Sequence, residues 1–120
     1  KLADIVQLVG EDVLPDDQRL ILEVSKVLKI GFLQQNAFHK DDTYVPIQKQ
    51  YHMLTVIAHL YDRGLKAVKK GIPISVVRNE VLFDRIIKMK YDIPNDDLSG
   101  LDALIEQIDD HFDALIKKYA

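Results

Sequence analysis

"PIQKQYHMLTVIAHLYDRGLKAVKKG", residues 46–71, decides the fold class. Ile47, Tyr51, Leu54, Ile57, Ala58, Tyr61, Leu65 and Val68 recur at steps of three and four, the interval that lines side chains along one face of an α-helix. Pro46 suits the opening of a helix, where its missing N–H leaves no bond unmade. Lys66, Lys69 and Lys70 crowd the last turns and Gly71 follows, so cations meet the negative end of the helix dipole before a stop. One long helix is expected here, with the rest of the chain packed on it.

The flanks read the same way. Leu2, Ile5, Val6 and Val9 have helical spacing and Gly10 ends them, giving a first helix. A second begins at "LPDDQRL", with Pro15 at the first helical position and Asp16 and Asp17 in the first turn. Its stripe is Leu20, Val24, Val27 and Leu28, and it fades near Gly31. A loop spans 34–45. Downstream, a fourth helix is expected over about residues 74–90 on the pattern Leu82, Ile86, Met89, although the β-branched "ISVV" also suits a short strand. "DIPNDDLSG" breaks the chain, and either Pro94 or a Ser99–Asp102 capping box starts the last helix. That helix carries Leu101, Leu104, Ile105, Ile108, Phe112, Leu115, Ile116 and Tyr119 on one stripe. The expectation is all-α: a single domain over residues 1–120, a small bundle of about five helices.

Composition narrows the function. The 120 residues are 48% hydrophobic and 29% charged, an ordinary globular balance. A net charge of −3 argues against nucleic acid as a partner. With no cysteine there is no disulfide and no thiolate zinc site. No apolar run approaches the roughly 18–20 residues that cross a bilayer, so direct membrane insertion is not expected. The chain opens Lys1-Leu2-Ala3, without Met and already inside an amphipathic pattern, which reads as a piece of a longer protein.

Self-contained chemistry is not expected either. There is no G-x-x-x-x-G-K-[ST] phosphate loop and no G-x-G-x-x-G turn. His52 and His59 share a helix face but lie about 10 Å apart along it, too far for one metal. His39 and His111 have no neighbouring histidine, and Ser25, Ser75 and Ser99 lack a nucleophile-elbow context. No catalytic residue and no metal ligand is therefore assigned. From Asp92 to Asp113 run eight acids with no Lys or Arg, open to two readings: a solvated face, or a docking surface for a basic partner.

The order of residues is more specific. "LADIVQLVGEDVLPDDQRLILEV", "FLQQNAFHKDDTYVPIQKQYHML" and "RIIKMKY" together resemble the C-terminal helical domain of the catalytic A (alpha) chain of archaeal and bacterial V/A-type rotary ATPases. The resemblance covers nearly the whole chain, strongest from Leu2 to Tyr61 and loosest after Lys90. It implies a parent protein, with ATP or ADP and magnesium, that couples ATP synthesis or hydrolysis to proton or sodium transport. The implied partners are the parent's own nucleotide-binding domain, B subunits and central-stalk subunits, in a cytoplasmic, peripheral part of a membrane-bound complex. The fragment alone would be inactive and bind no nucleotide.

Two sites follow from the same resemblance. The segment "QQNAF" implies a wall of the adenine pocket: Phe38 as the flat ring, Ala37 as clearance, Gln35 and Asn36 as amides near the base edge. Phe32 and Leu33 instead read as packing between helices, the alternative that also stands beside the pocket for Phe38. The F-type β subunit carries an acidic Asp-Glu-Leu-Ser-Glu-Glu-Asp motif just after a glycine in its shaft-contacting turn. Here Gly10 is followed by Glu11, Asp12, Val13, Leu14, Pro15, Asp16 and Asp17, which implies contact with the central stalk, while a capping turn of solvated acids explains the same charges. Pro stands in place of Ser and the acids are fewer. From a different class, the chain also reads as a free-standing helical interaction or assembly module without ATPase activity.

Overall fold

A computed structural model describes residues 14–33 and 45–119, leaving aside the Leu33 side chain. Among these residues the chain is all-α, with no strand. Helix α1 is Asp16–Leu28, continued by a π-helical turn Lys29–Leu33, and α2 is Ile47–Lys69. Three short helices follow, α3 (Ile74–Val77), α4 (Glu80–Ile87) and α5 (Met89–Asp92), and α6 (Ser99–Lys118) closes the bundle. The expected first helix lies outside the described residues.

Helix ends obey local chemistry. Pro15 and Pro46 each stand one residue before their helices, at the N-cap rather than the first helical position, and Asp16 and Asp17 fill the first turn of α1. α2 ends in a Schellman arrangement: the Gly71 N–H donates to the Val68 carbonyl at 2.9 Å and the Ile72 N–H to the Ala67 carbonyl at 3.1 Å. Gly71 takes φ +88°, the left-handed geometry that favours glycine, and Ile72 tucks into the core.

The expected single helix over 74–90 is three pieces. Arg78 and Asn79 are extended, and the Asn79 side chain accepts the Leu82 N–H at 3.0 Å, capping α4 in place of continuing α3. "ISVV" is one helical turn and not a strand, closed by His111, whose Nε2 lies 3.0 Å from the Val77 carbonyl. Nor does a Ser99–Asp102 capping box open α6. The Ser99 N–H and hydroxyl instead donate to Asp97 Oδ1, at 3.2 and 2.8 Å. These bonds hold the Asp97 carboxyl below its usual range.

α2 is the central element, with α1 on one flank and α6 on another. The core joins Leu20, Val24 and Val27 of α1 to Met53, Val56 and Leu60 of α2, Phe83 and Ile86 of α4, and Leu101, Ile108 and Phe112 of α6. The stripes expected on α1 and α6 are the ones that pack, except that Tyr119 is exposed. The stripe on α2 is turned. Ile47 and Tyr51 are each 76% exposed, while Lys49, Met53, Val56, Ile57, Leu60, Gly64 and Ala67 face inward. Lys49 turns the helix: its ammonium is fully buried and donates to the carbonyls of Lys90 (2.8 Å) and Ile93 (2.5 Å) and to Asn95 Oδ1 (2.8 Å). Three acceptors match three N–H groups, which makes the burial of a lysine tolerable.

Candidate functional site: the two ends of the bundle

α2 and α6 run parallel. His52 Nε2 lies 2.9 Å from Asp102 Oδ1, His59 Nε2 2.7 Å from Asp109 Oδ1, and Arg63 Nη2 donates to Asp113 Oδ1 at 2.8 Å. Each partner is fifty positions downstream, so the helices keep one register over several turns. Arg63 Nη1 also donates to Asp109 Oδ1, at 2.7 Å. Burial pulls the Arg63 pKa down, but hydrogen bonds to Asp113 and Asp109 outweigh it and hold the guanidinium above its usual value. The hydrogen bond from His59, against some burial and with help from Arg63, holds the Asp109 carboxyl below its usual range.

α1 runs the other way. Its beginning lies at Ile74, beyond the end of α2, because Asp16 Oδ2 accepts the Ile74 N–H at 3.1 Å. Its π-helical continuation lies at α5, where Lys90 Nζ donates to the Phe32 carbonyl at 3.4 Å. Partway along, the buried Glu23 accepts from Arg78 Nε at 2.5 Å and fixes the α3–α4 break against α1. The bundle thus has two chemically different ends.

At the first end meet the start of α2, the π turn and α5. Gln35, Asn36, Ala37 and Phe38 lie outside the described residues, but both stems of their segment are placed. On one side Gly31 approaches α4 so closely that an added Cβ would stand 3.0 Å from Ile87 Cα. Beside it Phe32 packs half-buried on the core, as its expected packing role requires. On the other side the Val45 carbonyl accepts Gln50 Nε2 at 2.8 Å. Lys49 and Lys90 tie these stems to α5 and the Ile93–Asn95 turn. Neither lysine stands out in the sequence, since hydrophobic periodicity scores a lysine as a surface residue.

At the second end lie the start of α1 and the last turns of α2 and α6. Of the acidic turn, Glu11, Asp12 and Val13 are outside the described residues; Leu14, Pro15, Asp16 and Asp17 are inside. Pro15, Asp16 and Asp17 are exposed. Leu14 is 7% exposed, so its side chain anchors the turn to the core. Asp16 spends one oxygen on Ile74, and Asp17 Oδ1 accepts the Gln18 N–H at 2.9 Å.

The acidic run of 92–113 resolves into parts. Asp102, Asp109 and Asp113 pair with α2 and Asp97 with Ser99, leaving Asp92, Asp96, Glu106 and Asp110 exposed. Among the described residues no three His, Asp or Glu side chains converge to hold a metal. No described helix is long and apolar enough to cross a membrane.

An all-α bundle with two chemically different ends is what this geometry defines among the described residues. The family that matches it is the C-terminal domain of V and A type ATP synthase, over residues 1–77, and the chain belongs to that family. It is 60% identical over 119 residues to V-type ATP synthase alpha chain 2 of Clostridium tetani, an alignment covering 99% of this chain and 20% of that protein. Identity is 51% over 119 residues to the V-type ATP synthase alpha chain of Halothermothrix orenii, again covering 99% of this chain and 20% of the relative. The chain spans about a fifth of the length of these relatives.

Proposed function

We propose that these 120 residues form a single C-terminal helical domain of the catalytic subunit of a V/A-type rotary ATP synthase, whose nucleotide-binding domain lies elsewhere in the parent chain. The parent couples ATP synthesis or hydrolysis to proton or sodium transport, in a cytoplasmic assembly with B subunits and a central stalk. The observation that carries this reading is the 60% identity along 99% of the chain to a protein of which it covers only 20%. A match of that kind is what a domain of a larger protein gives.

Within that reading the two ends have separate duties. The segment carrying Phe38, Ala37, Gln35 and Asn36 supplies one wall of the adenine pocket. Its stems are pinned through Gly31, Lys49 and Lys90, which supports a wall whose position moves with α4 and α5 as one body. The turn of Glu11, Asp12, Val13, Leu14, Pro15, Asp16 and Asp17 meets the central stalk, with Leu14 as its inward anchor and Pro15 and Asp17 on its open side. Helices rigid enough to carry a displacement connect the two, so different nucleotide states would set different positions of the acidic turn. ATP or ADP with magnesium binds the parent, and the isolated chain neither binds nor hydrolyses it.

The coding sequence upstream of Lys1 tests the assignment. A phosphate loop in frame before it is the expected result. A start codon immediately before Lys1 would contradict a catalytic parent and favour a free-standing interaction module.

A further inference from the structure

The parallel register of α2 and α6 brings both helix C-termini to one end of the bundle. There Arg63, Lys66, Lys69 and Lys70 line an open groove of about 440 Å³ with Ile116 on its wall. Lys117 and Lys118 close α6 at the same end. We propose that this groove is a docking site for an acidic amphipathic helix of a partner protein, which would lay its apolar side on Ile116 and its carboxylates against Lys66, Lys69 and Lys70.

Dipole matching explains only part of the charge. Each helix end carries about half an elementary negative charge, so two ends call for about one cation. Lys69, Lys70, Lys117 and Lys118 are all exposed, and none forms an ion pair among the described residues. Lys66 and Arg63, by contrast, are already occupied, Lys66 by Asp62 at 3.1 Å and Arg63 by Asp109 and Asp113. Among the described residues, four cations without an ion pair therefore meet a demand for about one, in a chain whose net charge is −3. An acidic ligand is repelled by most of such a surface and steered to this end. Among the described residues the acids at this end are Asp62, Asp109 and Asp113, which pair with Lys66 and Arg63, and Asp16 and Asp17 on α1, which packs on a different flank of α2 from α6. The groove wall is fixed, because Arg63 is held by two carboxylates and lies 5.6 Å from the centre of the buried Phe112 ring. A small anion would not use Ile116; a helix with an apolar stripe between two acidic rows uses both features.

The test is an amide chemical-shift titration of the 120-residue chain with a synthetic helical peptide of leucine and glutamate. Saturable shifts centred on Lys66, Lys69, Lys70 and Ile116 are expected. The double variant Lys69→Glu/Lys70→Glu, at two exposed positions where the loss of dipole pairing leaves the core untouched, should weaken binding about tenfold or more. Shifts spread evenly over the surface, or an affinity unchanged in the double variant, would overturn the proposal. So would equal affinity for inorganic pyrophosphate at the same residues, which would make the groove a small-anion site, or equal binding of a leucine–lysine peptide.

Discussion

Lys49 ties the start of α2 to α5 and the Ile93–Asn95 turn. Its ammonium closes the carbonyls of Lys90 and Ile93 where α5 ends. Replacing it with Met keeps the stem but leaves buried acceptors without donors, each worth about 1–3 kcal/mol. Lys49→Met should therefore lower unfolding free energy by about 3 kcal/mol in urea titration; a loss below about 1 kcal/mol would mean that water replaces the amine. Asp109 makes a second prediction at this scale. Its folded pKa lies below the ordinary 3.8, so its contribution is fully present above that value and is lost as pH falls through the folded pKa. Acid unfolding of Asp109→Asn should accordingly show a shallower loss of stability below about pH 4 than the parent. An identical acid limb in both proteins would show that Asp109 contributes nothing to the pairing of α2 with α6.

Elements separate what local chemistry decides from what packing decides. The starts of α1 and α2, the Gly71 stop and the stripes of α1 and α6 are legible in the sequence, because prolines, first-turn acids, last-turn lysines and glycine act within a few residues. The inward face of α2 is not. Ile47 and Tyr51 look like core and are exposed, while Lys49 looks like surface and is buried, because carbonyls some forty positions away choose its place. The α3–α4 break is legible in part: Asn79 ahead of Glu80 is an N-cap signal that the apolar pattern around it obscures. Asn79→Ala should cost about 1 kcal/mol, with exchange of the Leu82 amide quickening more than that of α6 amides. Of the candidate sites, the acidic turn and the adenine segment are marked by resemblance, whereas the basic groove exists only once α2 and α6 are set parallel.

At the scale of the whole molecule, the proposed role is that of a rigid connector between a nucleotide and a shaft. Asp12→Ala/Asp17→Ala, in the assembled enzyme, should change torque or ATP-driven pumping more than the KM for ATP. Asp16 is left intact there because it also holds the Ile74 N–H. Unchanged rotation would place the stalk contact elsewhere. The most direct measurement is steady-state ATP hydrolysis by the assembled complex carrying Phe38→Ala. Stacking of an aromatic ring on a base is worth about 1–3 kcal/mol, so KM should rise roughly ten- to hundredfold with assembly intact. An unchanged KM would contradict the adenine wall and return Phe38 to simple packing.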